Sequence, residues 1–122
     1  MVFDLILTID GHQYPVKWVE NQTVEELIEQ INHGGPIEIS MQNYGDKEQV
    51  GPLNKIYPSQ NKSMSTHPGD IVLYASNQLV IFYKNHHWDY TFLGHLENMS
   101  KNALTEILSQ NSIHVTLDIK YD

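Results

Sequence analysis

The spacing of apolar residues constrains this chain more than any other feature: it alternates with polar residues almost throughout and takes up helical spacing only twice. Phe3, Leu5, Leu7 and Ile9 share one side of an extended segment, with Asp4 and Thr8 on the other. Asp10-Gly11 follows, a pair that tolerates the positive φ angles of a tight hairpin, so a second strand is expected through Tyr14, Val16 and Trp18, paired back on the first. At Thr23 the period changes. Val24, Leu27, Ile28 and Ile31 recur at i, i+3, i+4 and i+7, which predicts an amphipathic helix over Val24 to Asn32 with Glu25, Glu26 and Glu29 outward. Thr23 and Glu26 have the spacing of a capping box, and His33-Gly34-Gly35-Pro36 supplies the stop.

Strand spacing resumes at Ile37, Ile39 and Met41. From Gln42 to Gly69 the chain is polar and broken by Gly45, Gly51, Pro52, Pro58 and Pro68, which reads as a long loop with one short strand near Glu48 to Gly51. A loop of that length borders a functional site more often than the elements it joins, and it is expected to form a mobile wall. Ile71 to Ala75 and Gln78 to Lys84 are further strands, and the run Leu79-Val80-Ile81-Phe82-Tyr83 is apolar on both faces, as in a strand covered on both sides. Asn85 to Asp89 reads as a loop and Tyr90 to Leu96 as a strand. Ser100 caps a second helix over Lys101 to Ser109, and a last strand alternates Ile113, Val115, Leu117 and Ile119.

About eight strands and two short helices, with no βαβ alternation, exclude doubly wound folds. Closure removes exposed edges, and helices can plug the two ends. The expected fold is therefore mainly β: a closed eight-stranded barrel capped by two short α-helices, one domain over 1–122.

Composition narrows the chemistry. The net charge is -8, from 15 acidic residues against seven basic ones, all lysines. No arginine is available to grip phosphate or guanine by two points, and no basic patch can be assembled, so nucleic acid is excluded as a partner. Without cysteine there is no disulfide, thiolate metal site or thiol nucleophile. No apolar run is long enough to span a bilayer as a helix, and Met1-Val2-Phe3-Asp4 has no basic flank, so a soluble, cytoplasmic protein without a membrane partner is expected. Three glycosylation-like triplets, starting at Asn21, Asn61 and Asn98, read as turn and cap residues. His86-His87-Trp88-Asp89 is the densest group of potential metal ligands, but adjacent histidines on an extended chain point oppositely, and no metal or other cofactor is expected. His33, His67 and His95 read as single turn or surface residues, and Asp70 as a turn former. The oligomeric state is left open.

The stretches Pro68-Gly69-Asp70-Ile71-Val72-Leu73-Tyr74 and Phe92-Leu93-Gly94-His95-Leu96-Glu97, with the opening hairpin and helix and the terminal helix and strand, resemble the bacterial cyclophilin-like family. The resemblance covers nearly the whole chain and implies a cyclophilin-like β-barrel of unassigned function. Likeness to the true cyclophilins, which are peptidyl-prolyl cis/trans isomerases, is local. Gln78 to Phe82 matches their glutamine and phenylalanine segment and Trp88 precedes Phe92-Leu93-Gly94, but their arginine has no counterpart. That group donates to the twisting amide against a barrier of ~18–20 kcal/mol, and a lysine does not reproduce the fork. Lys17, the nearest candidate, should point away from Trp18. The expectation is a non-catalytic binding module with an apolar groove formed by Met41, Tyr74, Phe82 and Trp88, taking a peptide or a small molecule. Isomerase activity is the alternative.

Overall fold

In the computed structural model, which describes residues 3–121, ten strands and two helices follow one another as β1 (Phe3–Ile9), β2 (His12–Tyr14), β3 (Val16–Trp18), α1 (Gln22–Gly34), β4 (Ile37–Tyr44), β5 (Glu48–Pro52), β6 (Lys62–Thr66), β7 (Asp70–Tyr74), β8 (Gln78–Phe82), β9 (His86–Leu96), α2 (Lys101–Leu108) and β10 (Ser112–Tyr121). Met1, Val2 and Asp122, the ends of the single domain expected over 1–122, lie outside the described residues. Every pairing is antiparallel, and nine strands run in the order β2-β1-β10-β4-β5-β8-β7-β9-β3, with β6 on β9. No helix among the described residues is long and apolar enough to cross a membrane.

The path starts and ends on one stretch of chain. Asp10 (φ 48°) and Gly11 (φ 85°) make the left-handed hairpin turn expected of that pair, and β2 pairs with β1. The second strand, however, does not continue along β1 to Trp18. Pro15 has no N–H for the ladder, and beyond it Val16–Trp18 pairs with β9 instead. The segment 12–18 thus joins the two edges of the sheet, and the Trp18 indole N–H donates to the Leu5 carbonyl at 2.8 Å across the seam. One expected strand has become two, and an unforeseen β6 brings the expected eight to ten.

Inside the barrel the inward residues of the strands pack with Val24, Leu27 and Ile31 of α1 and Leu104 and Leu108 of α2. Helix α1 begins differently from the capping-box reading. Asn21 is the N-cap, its side-chain oxygen accepting from the Val24 N–H at 2.9 Å while its amide donates to the Phe92 carbonyl at 2.8 Å. Thr23 is buried and donates to the Pro58 carbonyl. The Gly35 stop (φ 87°) and the Ser100 cap of α2 are as the residues predict.

A second, smaller cluster lies on the other face of the same strands: Val72, Val80, Phe82 and Tyr90, with Val50, Met64 and Phe92 against it. Ile71, Leu73, Leu79 and Ile81 point into the barrel while Val72, Val80 and Phe82 point out, which is why that stretch is apolar on both faces. The cover comes from β9. A register slip between Ile71 and Val72 marks a bulge where β7 meets β9, and such bulges increase local twist. The first half of β9 extends past the end of β7, pairs with β6, and brings Tyr90 onto Phe82 (ring centroids 5.4 Å apart). Residues 42–69 are accordingly less of a loop than their composition suggests: they hold the end of β4, all of β5 and β6, and turns between them.

Candidate functional site

Between the outer face of β5 and β8 and the ribbon made by β6 and β9 lies a cleft of about 680 Å³, within the range of small-molecule sites. Antiparallel register decides what faces it. Glu48 stands opposite Phe82, Val50 opposite Val80, and Gln78 opposite Tyr74, so the outward residues of β5, β7 and β8 share its floor. Along β9 the alternation places His86, Trp88 and Tyr90 toward the cleft and His87 and Asp89 away from it. The β4–β5 turn adds Tyr44 and Lys47.

The four residues expected to form a groove are not brought together. Trp88 (56 % exposed) and Tyr74 (40 % exposed) border the cleft. Met41 is 0 % exposed and lies inside the barrel, packed where β4 crosses Gly51 so closely that a Cβ on Gly51 would fall 2.7 Å from the Met41 Cγ. It is a core residue and not part of this surface. Phe82 is also 0 % exposed, beneath the cleft, where it supports Tyr90 and stacks on the His86 ring at 6.3 Å. Trp88 belongs to a strand, paired with Met64 of β6, and not to a loop.

Glu48 and Lys47 are site residues that sequence reasoning missed, and His86, weighed there only as a metal ligand, lines the cleft with them. Glu48 is only 6 % exposed, yet its carboxyl opens on the cleft, and among the described residues it makes no hydrogen bond or close ion pair, Lys47 acting on it through space. Burial pushes its pKa up, with Lys47 offsetting part of the effect. Desolvation pulls His86 down, helped by Lys47 and His87, and raises the Tyr90 hydroxyl to about 12, with Glu48 and Tyr74 adding to the rise. Nothing in the sequence separated Glu48 from the other acidic residues of a polar stretch; its partner strand was the missing information.

The remaining candidates have structural partners. His87 is held between the Ser63 and Ser65 hydroxyls, each at 2.9 Å. His95, read as a single residue, bonds Asp70 at 2.7 Å, and the other Asp70 oxygen accepts from the His67 N–H, locking the turn into β7. No three histidine, aspartate or glutamate side chains among the described residues converge as a metal site. A larger hollow, about 830 Å³ between β1–β3 and α1, is fringed by exposed Glu20, Glu25 and Glu29 and buries no titratable group.

An antiparallel, nearly closed barrel with two helices and a cleft outside its wall has the architecture of a cyclophilin-type domain. A family model described as the Cyclophilin-like family matches residues 7–118, and the chain belongs to that family. A solved structure of McbB in complex with tryptophan superposes with a TM-score of 0.68 at 13 % identity, covering 98 % of this chain and 45 % of that one. The chain thus spans less than half of McbB, and the likeness is one of fold. No curated protein matches the chain in sequence.

Proposed function

We propose that this domain is a non-catalytic binding module that holds a peptide or a small molecule in the cleft between the β5–β8 face and the β6–β9 ribbon. The observation that carries the reading is the pair of exposed aromatic rings, Tyr74 and Trp88, bordering a cleft whose floor is packed from beneath by Phe82, Val72 and Val80. Exposed rings on a rigid floor offer apolar area with little conformational entropy to lose, which favours binding. McbB, which shares the fold, forms a complex with tryptophan, so ligands with an aromatic ring are the first class to test.

Binding of this kind does not accelerate amide rotation. Acceleration needs interactions stronger in the twisted state than in the planar one, and the cleft offers no preorganised fork of donors for it. Lys17 is exposed on β3, a strand paired to the far end of β9, and Lys47 leans over the Tyr44 ring. The test has two arms. Titration with an X-Pro tetrapeptide and a set of aromatic small molecules, followed through the indole N–H signals of the two tryptophans, should give saturable shifts at Trp88 and none at Trp18. A protease-coupled assay on the same peptide should show no catalysed isomerisation. Turnover would overturn the non-catalytic reading, and silence of Trp88 toward every ligand would remove the cleft as the site.

A further inference from the structure

The Glu48 side chain makes no hydrogen bond or ion pair that would tie it to the barrel among the described residues. Glu48 is an outward residue of β5, 6 % exposed, and its carboxyl faces the cleft it shares with His86, Trp88 and Tyr90 of β9 without a hydrogen bond or close ion pair from the described residues. A carboxylate partly shielded from water and without a hydrogen-bond donor costs free energy that a neutral residue at the same position would avoid.

Around that carboxyl the walls are aromatic. Tyr44, Tyr74, Trp88 and Tyr90 all line the cleft, and ring faces attract cations. Lys47 already stands in such a position, its Nζ 5.8 Å from the centre of the Tyr44 ring while its charge acts on Glu48 without a close ion pair. The whole molecule adds a field of the same sense, since a net charge of -8 draws cations and repels anions.

We propose that the cleft selects ligands bearing an organic ammonium, which Glu48 receives as counter-charge while Tyr74 and Trp88 flank it. This rests on the reading of the cleft as the binding site and goes further by naming the charge of what enters it. An acidic or phosphorylated ligand is disfavoured by the same arrangement, because it would bring a second negative charge to the Glu48 carboxylate.

The probes are 2-phenylethylammonium and 2-phenylethanol, close in size and differing in charge. Each is titrated into the 15N-labelled protein at neutral pH while the Trp88 indole signal is followed; Trp18, bonded to Leu5, reports the intact fold. The ammonium should bind about tenfold tighter than the alcohol. Glu48→Gln should abolish most of that difference. Equal affinities in the unaltered protein would overturn the proposal and leave the cleft standing as an apolar site, and this arm needs no variant to fold. An undiminished preference in a folded Glu48→Gln protein would overturn it as well. Failure of both probes to move Trp88 would count against the cleft itself, and so against the function on which the proposal rests.

Discussion

Phe82 and Trp88 are both aromatic neighbours of one cleft, yet burial gives them opposite expected behaviours. Phe82 is 0 % exposed and joins β8 to Tyr90 and His86. Phe82→Ala should lower the unfolding free energy by about 3–5 kcal/mol in urea denaturation. Trp88 is 56 % exposed, so Trp88→Ala should weaken ligand binding while changing stability by no more than about 0.5 kcal/mol. A large fall in melting temperature for Trp88→Ala would make it a packing residue. Glu48 yields a pH prediction. Its folded-state pKa lies above the usual carboxylate value because of burial, so the folded protein binds the proton more tightly than the unfolded chain does. The penalty is absent at low pH and sets in as pH rises from about 4.5 through the raised value. Lys47, Tyr90 and His86 face the same cleft. The unaltered protein should therefore lose stability relative to Glu48→Gln between pH 4 and pH 7, as measured by urea midpoints at fixed ionic strength. A difference independent of pH would contradict the assignment.

Among the elements, α1 shows how a cap is chosen by the fold around it. Thr23 and Glu26 have capping-box spacing, but the hydroxyl is drawn to the Pro58 carbonyl and Glu26 pairs with Lys55 at 3.2 Å. Asn21 does the capping and also ties the helix start to β9 through Phe92. Asn21→Ala should cost about 1–2 kcal/mol, since it removes a cap and leaves a strand carbonyl without its donor. Glu26→Gln touches only an exposed pair, worth about 0–1 kcal/mol. Thermal denaturation of the two variants separates the readings: a capping box would make Glu26 matter to the helix start and Asn21 not.

Across the whole molecule the two clusters have unequal support. The barrel core draws on every long strand and both helices, whereas the outer cluster is covered by the β6–β9 ribbon alone. Strand β6 is polar, pairs with β9 only, and buries Thr66 and part of Met64. Regions with few buried apolar contacts open at lower free energy than the core they border. Hydrogen exchange under native conditions should release the amides of β6 well before those of β7 and β8. Matching protection across all three strands would show that ribbon and barrel open together, and the cleft would then have a rigid wall.

Much of this architecture was legible in the chain. Period-2 spacing marks the strands with apolar inner faces, Asp10-Gly11 the first turn, the 3.6 period both helices, and the missing arginine the absent donor. These are local properties: a turn needs its own φ angles, and an amphipathic face needs only its own spacing. What escaped was whatever depends on a partner distant in sequence. β6 and the start of β9 carry no apolar alternation, because their pairing is satisfied by backbone hydrogen bonds whatever the side chains are. Pro15 shows that a strand can end, but only closure shows that the chain beyond it changes partners. Met41 has the sequence character of a site residue as much as of a core residue, and the crossing at Gly51 is what places it inside. Glu48 is one of 15 acidic residues until the sheet places it on the cleft; its burial and its surroundings there belong to the tertiary structure alone.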